Sequence, residues 1–122
     1  MKSIAIIGAS ANTEKFGNKA VRAYLQQGWK VYPINPKETS IEGLPVFKSV
    51  RDIHDQVDEA SIYLAPNLVP AVLQEIASKG IRRVWLNPGT ESDNALERAE
   101  ELGLEVIVDC SIVGIGVDPN AL

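Results

Sequence analysis

Ser3-Ile4-Ala5-Ile6-Ile7-Gly8-Ala9-Ser10 is a short unbroken apolar run closed by glycine and small residues. Such a run is the pattern of a strand buried on both faces, as in a parallel sheet. The residues after it support that reading. Over residues 17–27 the apolar positions Ala20, Val21, Tyr24 and Leu25 recur at three- and four-residue steps, and Gly28 comes next. This is an amphipathic helix with a glycine at its exit. Residues 30–34, Lys-Val-Tyr-Pro-Ile, then read as a second strand, with Pro33 near its end where a missing N–H does least harm.

The unit of helix, glycine and strand recurs. Leu68, Val69, Val72, Leu73 and Ile76 form one helical stripe ended by Gly80, and residues 82–86 read as a strand. Ala95, Leu96, Ala99 and Leu102 form another stripe ended by Gly103, and residues 105–108 read as the last strand. Between these units, Ser49 is placed to cap a short helix carrying Val50, Ile53 and Val57, and residues 60–64 read as the central strand. Residues 44–47 fit a brief edge strand or a loop. The pattern predicts a doubly wound α/β domain over residues 1–122, with about five mainly parallel strands and helices on both faces.

Composition narrows the function. Lys and Arg total 12 against 16 Asp and Glu, a formal charge of −4, which disfavours generic electrostatic binding of nucleic acid. One cysteine, Cys110, and one histidine, His54, exclude an internal disulfide, a cysteine-rich zinc site and histidine-rich catalysis. No apolar run approaches the roughly 18 residues of a membrane-spanning helix. Lys2 with the apolar residues after it imitates a signal peptide, but its apolar stretch is short, and removing it would delete the best strand. The expectation is a cytoplasmic protein with a reduced Cys110.

In open α/β sheets ligands lie beyond the carboxyl ends of the strands. The loops after Ile7, Ile34, Leu64 and Leu86 are rich in glycine, proline, asparagine and small hydroxyl residues. In the first, Gly8, Ala9 and Ser10 let backbone N–H groups approach a phosphate. A helix starting near Lys15 or Phe16, with Gly17 behind it, aims its positive end at the same place. The loop is neither Gly-x-Gly-x-x-Gly nor a Walker loop. The second loop has Asn35-Pro36-Lys37 where an NAD site wants a carboxylate. A cation there suits a phosphorylated ribose, the 2′-phosphate of NADP or the 3′-phosphate of coenzyme A; the alternative is a stiff turn with a solvated lysine. The third and fourth loops, Ala65-Pro66-Asn67 and Asn87-Pro88-Gly89-Thr90, complete a candidate crevice.

At these residues the sequence resembles the small stand-alone proteins of the CoA-binding domain family, which are similar to the nucleotide-binding domain of the succinyl-CoA synthetase alpha subunit. The resemblance rests on Gly8-Ala9-Ser10, on Val31-Tyr32-Pro33-Ile34-Asn35-Pro36, on Pro66, and on Val84-Trp85-Leu86 with Gly89, and runs over residues 4–112. It implies a Rossmann-like fold and coenzyme A as the ligand. It further implies that Gly8, Ala9 and Ser10 cradle the pyrophosphate, that Asn35, Pro36 and Lys37 border the nucleotide, and that Ala65 and Pro66 flank the adenine or pantetheine arm. Where the family often has Gln the chain has Asn87, and the family's Asp-Arg-Cys is replaced by Asp109-Cys110-Ser111. The displaced thiol leaves Cys110 to be read from its own surroundings.

Those surroundings predict an inert thiol, because Cys110 follows Ile107 and Val108 in what reads as a helix-covered strand; the alternative, from its place at a strand's carboxyl end, is a thiol that faces the crevice and forms a mixed disulfide with the coenzyme. His54 sits on the expected short helix without a catalytic partner. Asp52, Asp55, Asp58 and Glu59 read as a solvated acidic run, and Lys79, Arg82 and Arg83 as partners of a helix end. The apolar, glycine-broken tail over residues 112–117 either packs back on the sheet or serves a subunit interface of a homo-oligomer. The expected function is a non-catalytic module binding coenzyme A or an acyl-CoA. The alternative is a small NADP-dependent oxidoreductase or an acyl-CoA ligase subunit.

Overall fold

The computed structural model describes residues 1–122. Its strands are β1 (Ser3–Ile7), β2 (Lys30–Ile34), β3 (Ser40–Ile41), β4 (Leu44–Pro45), β5 (Glu59–Ile62), β6 (Arg83–Leu86) and β7 (Glu105–Val108). Its helices are α1 (Phe16–Gln26), α2 (Val69–Lys79), α3 (Asp93–Glu101) and the single turn α4 (Ser111–Gly114). Five strands form one sheet in the order β2-β1-β5-β6-β7, every pairing parallel. The chain therefore forms a Rossmann-like α/β sheet, with the direction of winding reversing between β1 and β5.

Side chains alternate across a strand, so β1 feeds two cores. Ala5 and Ile7 join Ile62, Val84 and Leu86 beneath Val69, Leu73 and Ile76 of α2 and Ala95 and Ala99 of α3. Ile4 and Ile6 face the other way, against Ala20, Val21 and Tyr24 of α1 and Ile112 of α4. All of β1 is buried, as its apolar run predicts. The glycines read as helix exits, Gly28, Gly80 and Gly103, each have positive φ.

The structure corrects the sequence reading in three places and decides between its alternatives in a fourth. The helix expected after Ser49 is only a 3-10 turn over Val50–Asp52; Ser49 does cap it, accepting from the Arg51 N–H. The turn ends at Ile53, where the backbone becomes extended (φ −81°, ψ 123°) and the carbonyl accepts from the Lys79 ammonium. Val50, Ile53 and Val57 are all buried in the same core, so the apolar spacing marked burial but not backbone route. His54 consequently lies exposed in a loop.

Second, of the ambiguous residues 44–47, Leu44 and Pro45 form the second arm of a small antiparallel hairpin, β3 with β4, and Phe47 bridges to Ile34 at the edge of the sheet. Third, Glu59 is not part of a solvated run. It is buried in β5, where Trp85 Nε1–H donates to it at 2.9 Å and Arg83 pairs with it at 3.7 Å. Lys79 and Arg83 thus find specific acceptors rather than a bare helix end. Fourth, β7 is an edge strand that is only partly covered: Val106 packs on the core shared with α3, while Val108 is 50% exposed. Cys110 is only partly buried and begins α4 at the sheet's carboxyl end.

Candidate functional site

The loop that leaves β1 is held by its neighbours on every side. Gly8 has φ 89°, and a Cβ there would stand 2.1 Å from the Tyr63 carbonyl oxygen. Gly17 meets the loop from α1, where a Cβ would stand 2.3 Å from the Gly8 carbonyl oxygen. Both glycines are demanded by the close approach of β1, β5 and α1. The Gly8 and Ala9 N–H groups donate to the Ile34 carbonyl at 3.1 and 3.2 Å. These two amides, read from the sequence as phosphate donors, instead join the first loop to β2.

The next amides are different. No acceptor within the chain lies on the Ser10 or Ala11 N–H, nor on the Phe16 or Gly17 N–H at the start of α1. Lys15, at the N-cap position before Phe16, supplies no side-chain cap. Side chains fix the loop that carries these free donors. Asn35 Nδ2–H donates to the Ala9 carbonyl at 2.8 Å, while its Oδ1 accepts from the Lys37 and Glu38 N–H groups. Buried Asn18 donates to the Ser10 carbonyl at 2.9 Å and accepts from Arg22 Nε–H at 2.7 Å. Backbone donors with no partner, a helix N-terminus and Lys15 make a site suited to an anion.

The donors border an open crevice of about 620 Å³ at the point where the winding reverses. Of the residues singled out from the sequence, Gly8, Ala9, Ser10, Lys15, Gly17, Asn35, Pro36 and Gly89 line it. Lys37, Ala65 and Pro66 stand outside these walls. Lys37 is exposed, and Pro66 opens the 3-10 turn Pro66–Leu68 beside a separate depression with Asn67 and Ser92.

Sequence reasoning passed over Tyr63 and Leu64, which also line the crevice. They were read as the end of the central strand over residues 60–64, whereas β5 stops at Ile62 and leaves both at its carboxyl end. An apolar groove of about 290 Å³ adjoins on the α2 side, sharing Gly8, Pro36 and Leu64 with the crevice. Ile34, Val50, Leu68 and Val72 line it together with the charged Lys48 and Glu75.

Under the other side of the crevice lies a buried polar cluster that no motif announced. Asn87 Nδ2–H donates to Ser61 Oγ at 2.8 Å and to the Ile62 carbonyl at 2.9 Å, and its Oδ1 accepts from the Ser111 N–H at 2.9 Å. The Ser61 and Ser111 hydroxyls share a hydrogen bond of 2.7 Å, and Tyr63 Oη joins Ser111 Oγ at 3.2 Å. Tyr24 Oη–H donates to the Ser111 carbonyl from below. Burial pushes the Tyr63 hydroxyl up to about 12, and burial likewise raises Tyr24. Both phenols are neutral at ordinary pH, as a cluster of shared hydroxyl hydrogen bonds requires.

Known proteins place this geometry in context. The chain is 42% identical over 81 residues to an ADP-forming acetate–CoA ligase of Methanocaldococcus jannaschii, a match covering 66% of this chain and 12% of the ligase. It is 42% identical over 89 residues to the alpha subunit of the ADP-forming acetate–CoA ligase I of Pyrococcus furiosus, covering 68% and 19% respectively. The chain thus spans a fifth or less of these relatives' length.

Among solved structures, a conserved hypothetical protein of Pyrococcus furiosus superposes with a TM-score of 0.86 at 32% identity, covering 93% of this chain and 99% of that one. A dinucleotide-forming acetyl-coenzyme A synthetase 1 of Ca. Korarchaeum cryptofilum, in complex with phosphate and ADP, gives 0.79 at 30% identity over 88% of this chain and 25% of that one. Residues 2–115 match the family described as the CoA binding domain, and the chain belongs to that family.

Proposed function

We propose that this chain binds coenzyme A or an acyl-CoA in the crevice at the carboxyl ends of β1 and β5, and performs no chemical step on it. The observation that carries the reading is the set of free N–H groups at Ser10, Ala11, Phe16 and Gly17, beside Lys15 and an apolar groove. A diphosphate fits those donors, and an adenine ring fits the groove lined by Ile34, Leu68 and Val72. Asn35, where a dinucleotide site of the NAD type wants a carboxylate, commits its side chain to the loops and offers no acceptor to a ribose hydroxyl. The cations Lys37 and Lys48 flank the β2 side, where a 3′-phosphate would emerge.

The test is calorimetric titration with coenzyme A, dephospho-coenzyme A, NADP and NAD. The reading predicts heat from coenzyme A, weaker binding of its dephospho form and none of the nicotinamide dinucleotides. Binding of NADP in preference to coenzyme A would overturn it.

The relatives' names favour one further reading, in which the chain presents the coenzyme to a separate acyl-CoA ligase subunit. On that reading a partner chain added to the purified protein yields acyl-CoA from acid, ATP and coenzyme A. On the first reading the protein binds the coenzyme with no partner present.

A further inference from the structure

Beside the crevice, on the side of α1 and α4, is a recess of about 340 Å³ walled by Phe16, Tyr63, Asn87, Pro88, Cys110 and Pro119. Phe16, Tyr63 and Pro88 also line the crevice, so the two spaces are divided only by shared walls. The apolar groove opens from the crevice on the opposite face of the sheet, along α2. A ligand whose charged middle lies at the free amides therefore has one apolar space at each end.

The recess has a definite chemistry. No lysine, arginine or histidine stands in its walls. Both hydrogens of the Asn87 amide go to Ser61 and Ile62, and its oxygen accepts from Ser111. The Tyr63 hydroxyl is turned to Ser111. The surface that faces the cavity is therefore mostly carbon, with Cys110, a small and weakly polar side chain, in its wall.

We propose that this recess receives the thioester end of an acyl-CoA, and that it selects a short, uncharged acyl group. The proposal rests on the coenzyme A reading of the crevice. With the diphosphate at the Ser10 and Phe16 amides and the adenine in the α2 groove, the pantetheine arm runs past Tyr63 and Pro88 to the recess. An apolar acyl chain gains there roughly fourfold in affinity for each methylene that leaves water. A carboxylate at the chain's end loses its water and meets no donor, which is costly. The volume lies near the lower end of the roughly 300–1,000 Å³ common for small-molecule pockets, so the gain stops after a few carbons.

Titration of the wild-type protein with coenzyme A and with its acetyl, propionyl, butyryl, malonyl and succinyl thioesters tests this. Affinity should rise from coenzyme A through butyryl and fall below coenzyme A for malonyl and succinyl. A second readout locates the acyl end. Cys110 is the one thiol of the chain, and saturating butyryl-CoA, which has no free thiol of its own, should slow its alkylation by N-ethylmaleimide. If coenzyme A binds and all thioesters bind equally, or if butyryl-CoA leaves alkylation unchanged, the recess is not the acyl site, while the coenzyme A reading stands. Silence from every ligand overturns that reading and the recess with it.

Discussion

At the scale of single residues, the site separates positions that hold the loop from positions free to hold a ligand. Gly8 belongs to the first group. Its positive φ and the Tyr63 carbonyl 2.1 Å from any added Cβ mean that substitution strains the junction of β1 and β5 before a ligand arrives. Gly8→Val is therefore expected to destabilise the fold by about 3 kcal/mol or more, seen as a lower midpoint in urea unfolding. An unfolding midpoint equal to wild type would contradict the contact. Lys37 and Lys48 belong to the second group, since both are exposed and neither forms an ion pair. Removing whichever cation meets the 3′-phosphate should weaken coenzyme A by about 1.5–3 kcal/mol, less any screening, and leave dephospho-coenzyme A nearly unchanged. Titrating Lys37→Ala and Lys48→Ala with both ligands identifies it; equal losses for both ligands in both variants would remove the 3′-phosphate from the account.

At the scale of elements, the strands and helices were legible because each carries its own period. The unbroken run of β1 and the glycine-ended stripes of α1, α2 and α3 are local signals, and the structure keeps them. Neighbour relations were not legible. The residues of β7 read as a covered strand because an apolar run does not state whether a strand is central or at an edge. Glu59 looked like surface charge because its partners, Trp85 and Arg83, lie on the adjacent strand β6.

The polar cluster joining β5, β6 and α4 was invisible for the same reason. Ser61, Asn87 and Ser111 are 24 to 50 positions apart in the chain. Of the site, the glycine and asparagine loops could be read from composition. The engagement of the Gly8 and Ala9 amides by Ile34 could not, because it depends on register.

The cluster makes two measurable claims. Asn87→Leu strands the Ser111 N–H and the Ile62 carbonyl without partners in a dry interior, at a cost of about 2–4 kcal/mol in denaturant unfolding. A change below 1 kcal/mol, roughly the ordinary effect of a surface substitution, would show that the cluster is not shared structure. The second claim concerns pH. Burial raises the Tyr63 phenol from its ordinary value of 10.0 to about 12, so between these values the folded protein holds a proton that the unfolded chain releases. Stability is then full below pH 10.0 and declines as pH rises through about 12. The slope should be shallower in Tyr63→Phe when unfolding free energy is followed across that window; identical slopes would place the loss elsewhere.

At the scale of the whole molecule, five parallel strands deliver their loops to one end of the sheet. The free amides, the apolar groove and the recess are all gathered there. The opposite end carries a polar depression whose groups pair internally, with Asp58 accepting from the Ser3 N–H at 2.8 Å and Tyr32 Oη–H donating to Asp55 at 2.9 Å. No helix is long and apolar enough to cross a membrane. The asymmetry between the two ends gives the central claim a direct test. In a titration with coenzyme A followed by amide nuclear magnetic resonance, the Ser10, Ala11, Phe16 and Gly17 signals should move downfield and saturate together, as N–H groups do when they gain a phosphate acceptor, while Ser3 and Asp58 stay fixed. Saturable shifts at the Ser3 end, or no shift at those four amides at saturating coenzyme A, would contradict the account.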